Sequence, residues 1–166
     1  MALEMFLRID GVAGGSRNYQ HKGWADMLSW NWNLEHSSEK SAADSLQCEN
    51  MNQITVLKAI GKESAALLKL FVERTPISAV EISVMPVVGK RESSQKYLAI
   101  LMEDVVISSV RTDGEAEENF FRERLILTFG KINYEFFQYA ASAPNAATSE
   151  GESFTFGWDL NTNTAV

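Results

Sequence analysis

The 166 residues are enough for one domain with a sizeable hydrophobic core, and 45% hydrophobic and 22% charged residues are ordinary values for a globular protein. Fifteen basic against 22 acidic side chains give a formal charge of -7 without the clustered Lys and Arg that a phosphate-binding surface needs. We therefore expect a single domain over residues 1–166 that does not bind nucleic acid.

Most of the chain alternates apolar and polar residues with a period of two, in segments rich in aromatic and β-branched side chains. This pattern predicts strands that have one face on the core. Several such strands separated by turn residues indicate a barrel or a sandwich. The predicted core-facing positions are Leu3, Met5, Leu7 and Ile9; Leu28, Trp30, Trp32 and Leu34; Val80, Ile82 and Val84; Ile132, Tyr134 and Phe136; and Phe154, Phe156, Trp158 and Leu160.

Two kinds of segment depart from simple alternation. Residues 62–74 have a helical period, and Thr75 before Pro76 ends that helix because proline disfavours helical conformation in the residue before it. Residues 97–102 and 105–110 are apolar on both faces, which predicts strands covered on both sides by a helix or a neighbouring subunit. The predicted helix has one polar side, Lys62, Ala66, Lys69 and Glu73, and one apolar side, Leu67, Leu68, Phe71 and Val72.

Three segments are predicted to be loops. Residues 36–52 are polar and acidic, residues 111–119 form an acidic turn, and residues 140–152 are rich in alanine and serine. A loop as long as the first is uncommon in a compact domain unless it is functional or disordered. We expect a mainly β fold, an antiparallel β-barrel with one short α-helix and extended loops.

The single cysteine, Cys48, excludes an intrachain disulfide and is compatible with folding in a reducing cytoplasm. Residues 1–8 lack the basic and then apolar pattern of a Sec signal peptide. No apolar stretch reaches the ~20 residues that a membrane-spanning helix needs. If the protein leaves the cell, we expect a machine that exports folded proteins to carry it.

Motifs for phosphate binding or nucleophilic catalysis are not supported by their context. The glycine-rich residues from Gly11 to Ser16 follow a strand, but they match neither G-x-G-x-x-G nor the P-loop, and a tight turn is the better interpretation. Residues Ser37 to Lys40 are spelled S-x-x-K, which requires both side chains on one helix face and a K-T-G partner that this sequence lacks. We expect no catalytic residue.

Metal ligands are also too few. His21 and His36 are the only histidines and Cys48 the only thiol, whereas zinc takes three or four ligands, so both histidines are expected in polar loops. Glu103 and Asp104 are adjacent, which places them on opposite faces of a regular strand. An acidic cluster lacks the twelve-residue calcium-loop pattern and is expected to be a solvated turn: Asp113, Glu115, Glu117 and Glu118.

Four tryptophans leave two interpretations open. Trp24, Trp30, Trp32 and Trp158 could line a ligand pocket, but large rings spaced by two also fill the inside of a small barrel, and the alternation favours the core. A small-ligand-binding β-barrel therefore stays as the alternative function. An enzyme is the weakest candidate, because no nucleophile, base and orienting group can be assembled from these motifs.

Several segments, taken in order, carry a family resemblance. They are MFLRIDGV at 5–12, HKGW at 21–24, SWNW at 29–32, YLAI at 97–100, EDVVISSV at 103–110, residues 125–134 around FGKI, and FGWD at 156–159. Together they resemble the Hcp family of type VI secretion systems over nearly the whole chain. The departures are the lack of a glycine-rich stretch in residues 36–52 and Gly15 where the family commonly has an acidic residue. The first affects the geometry of ring stacking, because that loop is expected to reach the next ring.

The resemblance implies a β-barrel with one short helix that forms a homo-hexameric ring, and rings that stack into a tube inside a contractile sheath. The implied partners are further copies of the chain, the VgrG spike, sheath subunits and small effector cargo in the ring lumen. It implies no cofactor, metal or catalytic residue, and the end at Val166 leaves no room for the C-terminal enzyme of some members. Such a protein is cytoplasmic before contraction and is then secreted or delivered into a target cell. A ring also fits the physics, because it satisfies edge strands that would otherwise expose unpaired backbone groups.

Overall fold

A computed structural model describes residues 2–36, 48–87, 96–138 and 152–166. Within these residues, eleven strands and one helix follow each other along the chain. In chain order they are β1 (Leu3–Ile9), β2 (Ala25–Asn31), β3 (Glu35–His36), β4 (Cys48–Glu49), β5 (Gln53–Ala59), α1 (Ser64–Glu73), β6 (Ile77–Pro86), β7 (Leu98–Asp113), β8 (Arg122–Thr128), β9 (Lys131–Gln138), β10 (Glu152–Asp159) and β11 (Thr164–Ala165).

Six antiparallel strands close into a barrel. Their order is β7-β6-β1-β2-β5-β8, and pairing of β8 with β7 closes the circle. The interior is filled by buried apolar side chains that alternate along the strands, including Ile54, Val56, Leu125 and Leu127. The predicted fold class, a mainly β antiparallel barrel with a short helix, is confirmed.

The two doubly apolar segments form one long strand, β7. Its first half pairs with β6 on one edge and β9 on the other, while its second half pairs with β8. The strand is irregular in the middle, where Asp104 has a φ of 53° and the register shifts between Ile107 and Ser109. β8 and β9 thus share one edge of β7, and the chain passes from barrel to extension at Phe129 and Gly130. β10 and β11 continue this extension outward.

Strand β2 begins earlier than the alternation predicts. Ala25 and Met27 are its buried residues, and a register shift between Met27 and Ser29 follows. The prediction that Leu28 faces the core is wrong, because Leu28 lies within this shift and is exposed. The same prediction for Leu34 is also wrong, since Leu34 lies beyond the end of β2 and is exposed. Trp30 and Trp32, beyond the shift, are partly buried against the core as predicted.

The strands that are buried on both faces are β1 and β6 rather than the predicted β7. Phe6, Ser83 and Met85 are buried on the outer side of these two strands, where they meet His21 and its neighbours. On β7 the second face, for example at Leu101 and Val106, is only partly buried, although α1 packs against the strand.

Helix α1 packs on the barrel by a narrower face than predicted. Leu67 is fully buried, and Leu70 and Phe71 pack against the core. The helix contacts the barrel through Leu67, Leu70 and Phe71. Leu68 and Val72 are exposed, so the prediction that they lie on the buried side is wrong. The helix ends at a left-handed Arg74, followed by a bond from the Thr75 amide to the Leu70 carbonyl.

The loop predictions need revised bounds. The long segment 36–52 begins and ends as a two-stranded ribbon of β3 and β4, and residues 37–47 lie outside the described residues. The acidic turn is shifted to residues 114–121, because β7 continues to Asp113 and β8 starts at Arg122. Most of the predicted loop 140–152 also lies outside the described residues.

Candidate assembly surface and buried polar sites

The extension presents an aromatic face. In register, Phe136 lies opposite Phe154 and Tyr134 lies opposite Phe156, and opposite residues of an antiparallel pair share one face of the sheet. The Phe136 and Phe154 ring centroids are 6.4 Å apart, as are those of Phe156 and Trp158. We define the aromatic face as Tyr134, Phe136, Phe154, Phe156 and Trp158.

The aromatic face runs from the core to an exposed end. Towards β7 it continues into the buried Ile100 and Met102, which lie opposite β9. At its outer end Phe154 is 49% and Phe156 42% exposed. β11 pairs with β10 only at Trp158 and Asp159, so among the described residues no strand pairs with the outer edge of β10 before them. An exposed aromatic surface beside an open strand edge is typical of a protein–protein contact.

A buried polar cluster joins α1 to the barrel. Lys58 on β5 and Glu123 on β8 lie opposite each other and are both fully buried. The Lys58 ammonium is 2.6 Å from Glu63 Oε1 and 2.8 Å from Glu123 Oε2, and it also donates to the Ala59 carbonyl at 2.9 Å. The Ser64 hydroxyl donates to Glu123 Oε2 at 3.0 Å, which ties the start of α1 to β8.

The side chains of this polar cluster are shielded from solvent. Its ammonium is held by two carboxylates, and all its side chains are buried. A nucleophile must be reachable by its substrate, so the contact of 3.2 Å between Lys58 Nζ and Ser64 Oγ is structural. The cluster fixes where the helix begins on the barrel.

His21 lies in a second buried polar site, outside β1 and β6. Its ring stacks on Phe6 with centroids 4.2 Å apart and meets the edge of Trp24 at 4.6 Å. Its Nε2 forms a hydrogen bond of 2.9 Å with the Ser83 hydroxyl. Burial lowers the pKa of His21, the Lys96 ammonium lowers it further, and the Glu81 carboxylate opposes them.

Of the other candidate residues from the sequence, Gly11 lies in a turn, and His36, exposed at the end of β3, lies opposite Cys48 of β4. His21 lies in the loop between β1 and β2, as predicted, but it is buried, because the loop folds onto β1 and β6. Among the described residues no group of three or more His, Cys, Asp or Glu could hold a metal ion.

The acidic residues that the sequence singled out lie on the surface. Glu103 and Asp104 are both exposed, and the positive φ of Asp104 removes the regular strand on which their predicted opposite orientation depended. Asp113 pairs with Arg111 at 3.0 Å and Glu118 with Arg122 at 2.7 Å. Ser37 to Lys40 lie outside the described residues.

Sequence reasoning missed the buried polar cluster, although a signal was present. Lys58 follows Ile54 and Val56 at an inward position of β5, and Glu123 precedes Leu125 at an inward position of β8. Two opposite charges at inward positions of two strands indicate a buried ion pair if those strands are neighbours. The strand order that makes them neighbours is not visible in the local pattern.

The family model described as "Type VI secretion system effector, Hcp" matches residues 6–136. The chain belongs to the Hcp family. The curated relative Protein hcp1 of Pseudomonas aeruginosa is 24% identical over 165 residues, which are 98% of each chain. As the resemblance implied, this member of the Hcp family is a subunit of the type VI secretion tube.

Solved structures share the fold of this Hcp family member. Hcp1 from Salmonella typhimurium aligns with a TM-score of 0.76 at 22% identity, over 100% of both chains. A type six secretion system protein aligns with a TM-score of 0.80 at 19% identity, over 99% of this chain and 100% of that one. A type VI secretion system effector from Yersinia pestis gives 0.69 at 22% identity, over 93% and 98%.

Within the described residues, no helix is both long and apolar enough to cross a membrane. The Hcp family consists of structural tube proteins that are secreted by the type VI apparatus. That this chain has no catalytic residue and needs no cofactor stays a prediction.

Proposed function

We propose that six copies of this protein form a ring, that rings stack into the secretion tube, and that the lumen carries small effectors. The VgrG spike and the sheath subunits are the further partners in this proposal. Residues 1–166 act as one unit, made in the cytoplasm and released when the apparatus contracts. Membership of the Hcp family and the exposed end of the aromatic face support this proposal.

The proposal of a ring rests mainly on the exposed end of the aromatic face. A ring needs a heterologous contact, in which a surface of one subunit meets a different surface of the next. Covering the exposed parts of Phe154 and Phe156 would remove roughly 180 Å² of apolar surface, since a Phe side chain buries about 150–250 Å². At about 25 cal/mol per Å² this contributes about 4–5 kcal/mol to each contact.

The barrel interior is filled by side chains, which argues against the alternative function of binding a small ligand. Buried side chains from all six barrel strands fill this interior. Three of the tryptophans, Trp30, Trp32 and Trp158, pack against this core and do not surround an internal cavity. No observation therefore favours the alternative.

Native mass spectrometry with negative-stain microscopy tests the ring. The unchanged protein is expected as a hexamer, and Phe154→Ser with Phe156→Ser as a monomer with native circular dichroism. Phe120→Ser is the matched control, because Phe120 is 45% exposed on the turn before β8, away from the aromatic face. A monomer of the unchanged protein at high concentration contradicts the ring, and hexamers of the double variant place the contact on another surface.

Export tests the place of the ring in secretion. In cells with a type VI apparatus, the tagged protein is expected in the medium only when the contractile sheath is intact. The double variant is expected to stay in the cells, whereas Phe120→Ser is released like the unchanged protein. Release without a sheath contradicts the proposed route.

A further inference from the structure

Residues 14–24 cross the outer side of the barrel as a separate flap. The Gly14 amide donates to the Gly23 carbonyl at 2.7 Å, and the Ser16 amide donates to the Trp24 carbonyl at 2.8 Å. These bonds close the flap on itself. Side chains of the HKGW segment at 21–24 attach it to β1 and β6.

His21 is the main attachment of the flap. The ring is only 4% exposed, with Phe6 of β1 stacked on it and Ser83 of β6 bonded to Nε2. Nδ1 is buried and has no hydrogen-bond partner among the described residues. A neutral imidazole fits this place, because an imidazolium would have to bury a charge with one of its two N–H donors unsatisfied.

The charged groups around the ring do not favour an additional positive charge. Arg8 on β1 is 4.0 Å from Asp10, just after that strand, and 3.2 Å from Glu81 on β6. Lys96, before β7, is 3.3 Å from the same Glu81 carboxylate. Glu81 is thus already shared by two cations. Protonated His21 would be the third cation beside one partly buried carboxylate.

We propose that His21 is an acid-sensitive latch, which holds the flap of residues 14–24 on β1 and β6 while its imidazole is neutral and releases the flap when the imidazole is protonated. The barrel itself stays folded in this step, because the residues that fill it do not contact the flap through ionisable groups. The latch does not depend on the proposed ring.

The direction of the pH effect follows from linkage. The pKa of His21 is lowered in the closed flap, whereas an open flap exposes the imidazole to water, where its ordinary value is 6.5. Closure is therefore fully stable above about pH 6.5 and weakens as the pH falls below it, because the open form binds one more proton. One proton changes the opening equilibrium by up to about tenfold per pH unit.

Hydrogen exchange read by mass spectrometry tests the latch. Peptides covering residues 13–25 are compared at pH 7.5 and pH 5.0, with rates corrected by an unstructured reference peptide. The unchanged protein is expected to lose protection in the flap at the lower pH, by up to about thirtyfold over the 1.5 pH units below 6.5. Peptides of β5, which report opening of the whole barrel, are expected to keep theirs.

Three variants make the outcome decisive. His21→Phe and His21→Gln cannot be protonated, so each is expected to show the same flap protection at both pH values. His36→Gln, at an exposed histidine of β3, is expected to behave like the unchanged protein. The proposal is overturned if flap protection of the unchanged protein does not depend on pH, if both His21 variants keep the dependence, or if β5 loses protection by the same factor.

Discussion

Lys58 is a fully buried cation whose removal leaves two buried carboxylates without compensation. Its ammonium is 2.6 Å from Glu63 Oε1 and 2.8 Å from Glu123 Oε2, and both glutamates are buried. Breaking such a group by removing one partner costs about 3–5 kcal/mol. We expect Lys58→Met to lower the free energy of unfolding by this amount, because methionine keeps most of the side-chain volume and removes the charge. Urea unfolding at one fixed protein concentration measures it, since assembly makes stability depend on concentration.

A second variant separates charge from packing. Lys58→Met with Glu63→Leu and Glu123→Leu removes every charge of the cluster and is expected to recover most of the loss, because an apolar replacement of a buried ion group is often neutral or stabilising by about 1–4 kcal/mol. Lys69→Met is the control, since the exposed Lys69–Glu73 pair at 3.9 Å contributes at most about 0.5 kcal/mol. The reasoning is refuted if the single change costs under about 1 kcal/mol, or if the triple variant is no more stable than the single one.

Two further changes test the packing. Gly14→Ala is expected to lower the free energy of unfolding by about 1–3 kcal/mol or more, because a Cβ there would lie 2.1 Å from the Trp24 carbonyl carbon. Gly15→Ala is the control and is expected to cost far less, because a Cβ at Gly15 has no atom within 4 Å. Equal effects of the two changes in thermal unfolding would contradict this. Leu67→Ala is expected to cost about 2–5 kcal/mol and the exposed Leu68→Ala under about 1 kcal/mol. The reverse order in urea unfolding would refute the orientation of α1.

The alternation of apolar residues predicted the fold class because a strand with one buried face leaves that mark in every second residue. At Val80, Ile82 and Val84 the pattern and the burial agree. It failed at Leu28 because one extra residue in a bulge changes the alternation there, so the pattern that holds at Trp30 and Trp32 does not extend back to Leu28. A bulge depends on the neighbouring strand, which local periodicity does not describe.

The sites were harder to predict than the fold, because each of them depends on which strands become neighbours. His21 reads as a polar loop residue until β1 and β6 bring Phe6 and Ser83 beneath it. The charges of Lys58 and Glu123 read as ordinary strand residues until β5 pairs with β8. The family resemblance predicted that the protein assembles into a tube, but it did not indicate either buried site.

The division of β7 explains how one chain can combine a closed core with the assembly surface that we propose. Closure of the barrel by β8 leaves its six strands without a free edge along that seam, so the barrel can fold without a neighbour. The chain then departs at Phe129 and Gly130, where the Gly130 amide donates to the Glu103 carbonyl at 3.0 Å, and builds β9 and β10 on the other half of β7. Because the open edge and exposed rings belong to this extension, loss of assembly and loss of folding are separable. Changes at Phe154 and Phe156 are therefore expected to reduce assembly, whereas changes at Lys58 are expected to reduce the stability of the fold.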